Sequence, residues 1–261
     1  MAPRALVRRP GPLLAEGIVT NADGTPVDLD LATRQWTAYT DALVSAGWDL
    51  IEVPPADDCP DAVFIEDAVV VFHMLDSLRD LAVITRPGAD SRKPETSGLE
   101  PILLAERYSV EHIEAPATLD GGDVLKVGEI VYVGRGGRTN AEGIRQLRSI
   151  LQPHGLTVVA VPMSKVLHLK SAVTALPDGT IIGFEPVVDD VRIFDRFRPV
   201  PEESGAHVVD LGDGRLLMAA DCPRSAELFV DLGYEPIVVD IGEYEKLDGC
   251  VTCLSVRLRR P

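Results

Sequence analysis

The sequence is short of cysteine and has no long apolar run. Only four cysteines occur in 261 residues, at Cys59, Cys222, Cys250 and Cys253. A disulfide framework is not expected from so few, and the thiols are predicted to be reduced. No segment approaches the roughly 18 unbroken apolar residues of a membrane span, and the basic N-terminal segment lacks the apolar core of a secretory signal. These absences predict a cytoplasmic globular protein, with 46% apolar residues available for its core.

Basic residues are also scarce. Lys and Arg number 25 against 41 Asp and Glu, which gives a formal net charge of −16. Nucleic-acid binding needs a basic stripe that can neutralise phosphates, and the sequence has none. The acidity suits a cationic small molecule as the ligand, although acidity that serves only solubility explains the same charge.

A repeated unit runs along the chain. An amphipathic helix, a break and a short β-rich run recur in RQWTAYTDALVSAGWDLIEVPP, PILLAERYSVEHIEAP, AEGIRQLRSILQPHGLTVVAVP and SAELFVDLGYEPIVVDIG. The apolar segments between them have the composition of paired strands, such as VFIEDAVVVF with LAVITRP. The predicted unit is therefore strand, strand, helix, strand.

Two copies of the unit depart from this pattern. In the copy from about residue 168 to 211, VDDVRIFDRF takes the place of the helix. Another copy is split: its helix and last strand lie near residues 34 to 53, and VTCLSVRLR at the C-terminus is expected to pair with RALVRR at the N-terminus. Termini that complete one another predict a closed ring, so residues 1–261 are expected to form one circular α/β domain.

A ring of this kind predicts a shared channel. If each unit gives its first strand to the centre, side chains at matching places in distant units converge there. The segments that follow the last strand of each unit carry side chains of the kinds used in catalysis. These residues are Asp61, Glu66, Asp67, Asp120, His168, Cys250 and Cys253. Carboxylates, an imidazole and a thiol are therefore expected at one site.

The CxxC pair near the C-terminus does not predict a metal site. If CVTCLSVRL is a strand, Cys250 and Cys253 point to opposite faces and cannot bind one ion together. The sequence also has no second CxxC and no paired histidines at ligand spacing. Either cysteine can be a small buried residue, and the residues alone do not say which thiol is a nucleophile.

The other candidates each have a structural and a functional interpretation. His168, in an expected strand, is a core residue unless a thiol and a carboxylate share its channel, in which case it is a candidate acid/base. Asp67 lies among apolar neighbours and needs a cation, either a structural arginine or a guanidinium ligand. Arg86 and Arg138 lie at the ends of predicted hairpins. They are either surface charges or residues whose guanidinium groups bind a substrate carboxylate.

Six segments occur in order along the chain: PDAVFIED, ITRPG, ATLDGGDVL, RTNAEG, HLK and DGCVTCLSV. Together they closely resemble the dimethylarginine dimethylaminohydrolases, a family of the guanidino-group-modifying enzyme superfamily, and the resemblance runs from about residue 4 to residue 259. It implies the five-bladed α/β-propeller of the pentein enzymes, with pseudo-fivefold ββαβ repeats around a central channel. It also implies that Cys253 is the nucleophile, because the family nucleophile directly follows a threonine and precedes one residue and then a serine, as in TCLS. The family does not require cysteine at the position of Cys250.

The resemblance further implies a role for each candidate. His168 would be the general acid/base and Asp120 would orient it. The implied substrate-binding residues are Asp67 at the guanidinium with Glu66 beside it in the substrate shell, Arg86 and Arg138 at the α-carboxylate, Asp61 at the α-amino end, and the backbones of Leu13 and Leu247. Residues 10–26 would form a lid over the channel mouth.

The implied activity is hydrolysis of asymmetric dimethylarginine or monomethylarginine to citrulline and dimethylamine or methylamine. The reaction would pass through a covalent cysteine thiouronium intermediate, without a metal or organic cofactor. The implied partner is a small cationic amino acid, with no nucleic acid and no membrane, in a monomer or homodimer. Two alternatives stay open: another guanidine-modifying activity on this fold, such as arginine deimination, and a non-catalytic module that binds a cationic amino acid.

Overall fold

The computed structural model describes residues 2–19, 25–74 and 79–258. Its strands are β1 (Arg4–Val7), β2 (Asp49–Glu52), β3 (Val69–Phe72), β4 (Leu81–Ile84), β5 (Ser109–His112), β6 (Val124–Val127), β7 (Ile130–Arg135), β8 (Thr157–Pro162), β9 (Val173–Ala175), β10 (Ile181–Gly183), β11 (Phe197–Pro199), β12 (Val209–Gly212), β13 (Arg215–Ala219), β14 (Glu235–Val239) and β15 (Val256–Leu258). Its α-helices are α1 (Leu29–Ser45), α2 (Leu99–Ala105), α3 (Ala141–Leu151), α4 (Pro223–Asp231) and α5 (Gly242–Glu245).

The strands form five sheets of three strands each, in the orders β3-β4-β5, β6-β7-β8, β9-β10-β11, β12-β13-β14 and β15-β1-β2. In every sheet the first pair is antiparallel and the second pair is parallel. Parallel neighbours need a crossover, which α2, α3, α4 and α1 supply in four sheets. The predicted five-bladed α/β-propeller of ββαβ units is confirmed.

The blade formed by β9, β10 and β11 has no α-helix in its crossover. Short 3₁₀ helices at Glu185–Val187 and Val191–Ile193 connect β10 to β11 instead. The second of them lies within VDDVRIFDRF, the segment that was predicted to replace a helix.

The fifth blade joins the two ends of the described chain. β1 pairs antiparallel with β15, with Arg4 opposite Leu258, and parallel with β2, with Arg4 opposite Asp49. The intervening α1 buries Trp36, Tyr39 and Leu43 at helical spacing. The hydroxyl of Tyr39 donates to the carbonyl oxygen of Val251 at 2.9 Å, so α1 holds the segment that leads into β15.

The first strands of all five blades line a central channel. Val69, Val124, Thr174, Val209 and Val256, one from each first strand, face a cavity of about 370 Å³. Side chains that sit just before these strands are therefore brought to one end of the channel. None of the helices built by the described residues has both the length and the apolar composition to cross a bilayer.

The structure corrects the sequence prediction at two first strands. His168 and Cys253 do not lie in strands: His168 precedes a 3₁₀ helix at Leu169–Ser171, and Cys253 lies in a turn before β15. The N–H of Leu169 donates to Asp123 Oδ1 at 3.0 Å, and the carbonyl oxygen of Cys253 accepts the N–H of Glu66 at 3.2 Å. Because other partners use these backbone groups, no strand ladder includes them.

Candidate active site

Four blades place a chemically useful side chain immediately before their first strand. Asp67 lies in the 3₁₀ helix Ile65–Ala68 before β3, and Asp120 precedes the 3₁₀ helix before β6. His168 occupies the same place before β9, and Cys253 lies in the turn before β15. All four side chains are buried, so the site is largely withdrawn from water.

The imidazole of His168 lies between two carboxylates. Its Nε2 is 3.0 Å from Asp120 Oδ2, and its Nδ1 is 3.8 Å from Asp67 Oδ1. Burial alone would lower the pKa of His168, but the charge of Asp67 and the hydrogen bond to Asp120 raise that pKa to about 9. His168 is therefore an imidazolium at neutral pH, with a proton to donate.

Asp120 is held in a fixed orientation. Its Oδ1 accepts the N–H of Gly88 at 2.7 Å, and its own N–H donates to Thr139 Oγ1 at 3.1 Å. A Cβ at position 88 would lie 2.3 Å from the carbonyl oxygen of Arg138, so only glycine allows this close approach. With Oδ1 anchored in this way, Oδ2 is the oxygen that faces His168.

Asp67 is paired with an arginine that the sequence analysis did not name. Arg92 Nη1 donates to Asp67 Oδ2 at 2.6 Å, and the N–H of Gly122 donates to Asp67 Oδ1 at 2.7 Å. Although burial opposes ionisation, the positive charges of His168 and Arg92 hold the pKa of Asp67 well below its usual range. Each oxygen of this carboxylate still has a lone pair for a ligand.

Arg92 is itself fully engaged. Its Nε and Nη2 donate to the carboxylate of Glu95 at 3.0 and 2.9 Å, and Nη2 also reaches the carbonyl oxygen of Phe64 at 3.2 Å. Asp67 thus forms the salt bridge to an arginine that was its structural interpretation. Asp67 can also bind a guanidinium ligand, because Arg92 donates to Oδ2 and leaves Oδ1 accessible to other donors.

Glu66 lines the channel cavity and is adjacent in sequence to Asp67. Its Oε1 is 2.6 Å from Lys170 Nζ and 3.4 Å from Arg257 Nη2, and all three residues line the cavity. Burial raises the pKa of Glu66, and the charges of Lys170 and Arg257 oppose that rise. Glu66 Oε2 is buried and has no hydrogen-bond partner within the described ranges. Lys170 and Arg257 are further residues for which the sequence analysis assigned no role.

The two thiols of the CxxC pair face each other, which contradicts the prediction that they point apart. Cys250 Sγ and Cys253 Sγ are 3.3 Å apart, because the segment is a turn and not a strand. The contact with Cys250 and burial raise the pKa of Cys253 above the usual thiol range, as do the charges of Glu66 and Asp67. The thiol of Cys253 is therefore protonated in the ligand-free protein.

Asp67, Asp120 and His168 also have the spacing of metal ligands, since one ligand atom from each lies within 4.8 Å of the others. These side chains already bond to one another and to their neighbours: Asp67 pairs with Arg92 and Gly122, and Asp120 with Gly88 and His168. The same contacts fix the position of the imidazole. The absence of a cofactor stays a prediction.

The two arginines that were predicted to bind the substrate carboxylate differ in their surroundings. Arg138 Nη1 lies 3.9 Å from Asp120 Oδ2 and is buried without a hydrogen-bond partner in the described structure. Arg86 Nη1 instead donates to the carbonyl oxygen of Ala117 at 2.9 Å. Arg138 therefore lies beside Asp120 with an N–H donor that can bind a ligand. The side chain of Arg86 is instead held by the carbonyl oxygen of Ala117.

The described part of the predicted lid contacts two other predicted site residues. The N–H of Ile18 donates to Asp61 Oδ1 at 3.0 Å. Gly17 is so close that an added Cβ would lie 3.0 Å from Asp61 Oδ1 and 3.3 Å from Leu247 Cδ2. The carbonyl oxygen of Leu13 accepts the N–H of Glu16 at 2.8 Å. Residues 20–24 of the predicted 10–26 lid lie outside the described residues.

Comparison with known proteins agrees with this architecture. The chain is 63% identical over 256 residues to an N(G),N(G)-dimethylarginine dimethylaminohydrolase of Streptomyces coelicolor, covering 98% of this chain and 97% of the relative. It is 37% identical over 262 residues to the protein of that name from Pseudomonas aeruginosa, covering 97% and 98%. A family model described as arginine deiminase matches residues 93–220.

Solved structures of dimethylarginine dimethylaminohydrolases and of an arginine dihydrolase have the same fold as this chain. A cysteine-to-serine variant of the Pseudomonas aeruginosa enzyme in complex with citrulline has a TM-score of 0.88, covering 98% of this chain and 99% of that one. The N-terminal domain of ArgZ, an arginine dihydrolase from cyanobacteria, is only 18% identical but has a TM-score of 0.85 over 99% of both chains, a likeness of fold. The ring of five sheets is thus that of the pentein enzymes. The chain belongs to the dimethylarginine dimethylaminohydrolase family.

Replacing Arg92 by Met should strongly destabilise the protein. The substitution leaves Glu95 as a buried carboxylate without its cation and removes one of the two positive charges that stabilise Asp67, so we expect the free energy of unfolding to fall by about 3–5 kcal/mol. Urea denaturation measures this change. The matched control is Arg192→Met, which breaks an exposed pair with Asp190 and should change stability by less than about 1 kcal/mol. Equal effects in the two variants would contradict the role given to Arg92.

The pairing of His168 should make stability depend on pH. Its pKa is about 9 in the folded protein and 6.5 when unperturbed, so its stabilisation is complete below pH 6.5 and is lost as the pH rises through 9. The stability difference between wild type and His168→Gln should therefore shrink by about 3 kcal/mol over this interval. Denaturant unfolding across the pH range tests this, with the exposed His154→Gln as control. A difference that stays constant would contradict the raised pKa.

Proposed function

We propose that this protein hydrolyses N-methylated arginine to citrulline and dimethylamine or methylamine by cysteine-dependent catalysis. The proposal is carried by the buried His168 imidazolium between Asp67 and Asp120, at the channel end that also receives Cys253. The family of the chain supports the substrate class. A relative with 37% identity is seen in complex with citrulline, which is the proposed product.

The substrate would bind through charge complementarity at both ends. Its guanidinium would lie against the free lone pairs of Asp67, with Glu66 as a second carboxylate. Its α-carboxylate would accept from Arg86 and from Arg138, whose Nη1 is buried without a partner in the described structure. Asp61 and the backbones of Leu13 and Leu247 would contact the α-amino end beneath the lid.

The chemistry needs a nucleophile and a proton for the departing amine. The positive charge of the bound guanidinium lowers the pKa of Cys253, so the thiol releases its proton to solvent and the thiolate forms when substrate is present. The sulfur attacks the guanidinium carbon, and His168 transfers its proton to the methylated nitrogen as the C–N bond breaks. Dimethylamine or methylamine leaves, and a thiouronium remains on the sulfur.

Water completes the cycle. Neutral His168, still held by Asp120, takes a proton from a water molecule that attacks the thiouronium carbon. The C–S bond then breaks, which returns the Cys253 sulfur and releases citrulline. The raised pKa of His168 suits the first step, in which the side chain begins as an acid. The cytoplasmic location and the monomeric or homodimeric state stay predictions.

Replacing Cys253 by Ser should abolish citrulline release from asymmetric dimethylarginine and monomethylarginine. The alkoxide that would replace the thiolate is far less accessible, so turnover should fall by at least about 10³-fold while substrate binding persists. Citrulline assays with each methylated arginine and with arginine, together with calorimetric binding, test this. Release from arginine alone would identify a deiminase, and binding without any turnover in wild type would identify a non-catalytic module.

The matched control for this experiment is Cys250→Ser, which changes the neighbouring thiol by the same single atom. It should retain turnover, because no proposed step uses Cys250. An active Cys253→Ser variant beside an inactive Cys250→Ser variant would move the nucleophile to Cys250.

Replacing Arg138 by Ala should mainly weaken substrate binding. The loss of one charge-assisted contact to the α-carboxylate should raise KM by roughly 10- to 100-fold, with a smaller change in kcat. Steady-state kinetics measure both constants. Arg145→Ala is the control, since Arg145 pairs with Glu142 on the exposed side of α3, and its KM should not change. An unaltered KM in Arg138→Ala would refute the carboxylate role.

A further inference from the structure

The turn that carries Cys253 also carries a thiol that the proposed mechanism leaves unused. The N–H of Cys253 donates to the carbonyl oxygen of Cys250 at 3.0 Å, which is the hydrogen bond of a β-turn. The end Cα atoms of such a turn lie within about 7 Å, and disulfides span Cα distances of about 4.4–6.8 Å. The backbone thus already brings the two cysteines to the spacing that a disulfide needs.

The two sulfurs face each other inside the protein. They lie 3.3 Å apart and both side chains are buried. A disulfide bond of about 2.05 Å requires an approach of roughly 1.3 Å, which side-chain rotation can supply. Cys222 is engaged elsewhere, since its thiol donates to the carbonyl oxygen of Ala219 at 3.2 Å. The sulfurs of Cys250 and Cys253 are therefore placed to form a disulfide with each other.

We propose that Cys250 and Cys253 form a reversible disulfide when the protein meets a hydroperoxide, and that this bond switches the enzyme off. The disulfide itself follows from the geometry of the turn. The loss of turnover rests on the proposed function, in which the Cys253 sulfur attacks the substrate and is unavailable once oxidised.

The surroundings of Cys250 favour its reaction with an oxidant. Thr252 Oγ1 lies 3.2 Å from Cys250 Sγ and can donate to a thiolate there. The contact with Cys253 lowers the pKa of Cys250 well below the usual thiol range, although burial opposes this. A cavity of about 450 Å³, lined by His207, Asp248 and Gly249 among others, extends to the residue before Cys250. A molecule as small as hydrogen peroxide fits this space.

The reaction balances with the hydroperoxide as the sole oxidant. The Cys250 thiolate attacks one peroxide oxygen and the O–O bond breaks, which gives a sulfenic acid and, after protonation, water or an alcohol. The Cys253 sulfur then attacks the sulfenic sulfur and expels hydroxide, which takes up the thiol proton as water. The two thiols together lose two electrons and the peroxide gains them. A dithiol reverses the change by becoming a disulfide itself.

Peroxide treatment of the full-length protein tests the proposal. Trypsin should release both cysteines in peptide 247–257, because Lys246 and Arg257 flank it. After hydrogen peroxide, this peptide should weigh two hydrogen atoms less and resist alkylation until dithiothreitol is added. Citrulline release should be lost in step with the mass change and regained on reduction.

Two variants make the result specific. Cys250→Ser should also lose activity in peroxide, but through stepwise oxidation of Cys253 to sulfinic acid, which dithiothreitol does not reverse. Cys222→Ala removes a buried thiol outside the turn and should behave like wild type.

A peptide that gains oxygen atoms without losing two hydrogens would overturn the proposed disulfide. A disulfide-bonded protein that keeps full turnover would overturn the switch and, with it, the role of Cys253 as nucleophile. Recovery of Cys250→Ser on reduction to the same extent as wild type would also refute the resolving role of Cys250.

Discussion

A buried imidazolium held between two carboxylates is the interaction on which the site depends. Removing a charged histidine from water is unfavourable unless opposite charges compensate it, and Asp67 and Asp120 do so from opposite sides of the ring. Each carboxylate is in turn fixed by a backbone N–H, from Gly122 and Gly88. The cluster therefore holds a proton at one atom and in one orientation, which is the requirement for a general acid.

This cluster can form only when the ring is complete, because its members come from different blades. Asp67 precedes β3, Asp120 precedes β6 and His168 precedes β9, and the two carboxylates that compensate the imidazolium both come from blades other than that of His168. Cys253 joins them from the blade that closes the two ends of the chain. Tyr39 secures that closure, since its hydroxyl contacts Val251 on one side of the thiol and Ser255 on the other. The same architecture that makes the chain circular thus assembles the chemistry.

The repeated fold could be predicted from the sequence, whereas parts of the site could not. Helical and strand periodicity identify the five units because their apolar faces must be buried in every copy. The turns at His168 and Cys250 look like strands, since alternating apolar residues do not reveal that Asp123 and Glu66 take the backbone hydrogen bonds. Arg92 escapes detection because it lies in the 3₁₀ helix Asp90–Thr96 after β4, where no sequence period relates it to Asp67. The resemblance identified the catalytic candidates, but not the charges that support them.

The β-turn at residues 250–253 links catalysis to oxidation through one geometric cause. A strand would have sent the two thiols to opposite faces, but the turn that brings Cys253 beside Glu66 also turns Cys250 back toward it. The sulfurs then compete for one negative charge, because two adjacent thiolates in a buried acidic site repel each other. In the proposed mechanism, Cys253 stays protonated until a cationic substrate binds, while Cys250 can carry the charge in its absence. Under both proposals, the ligand-free protein is the form in which a thiolate and its resolving partner coexist, and bound substrate would move the charge from Cys250 to Cys253 and so favour turnover over oxidation.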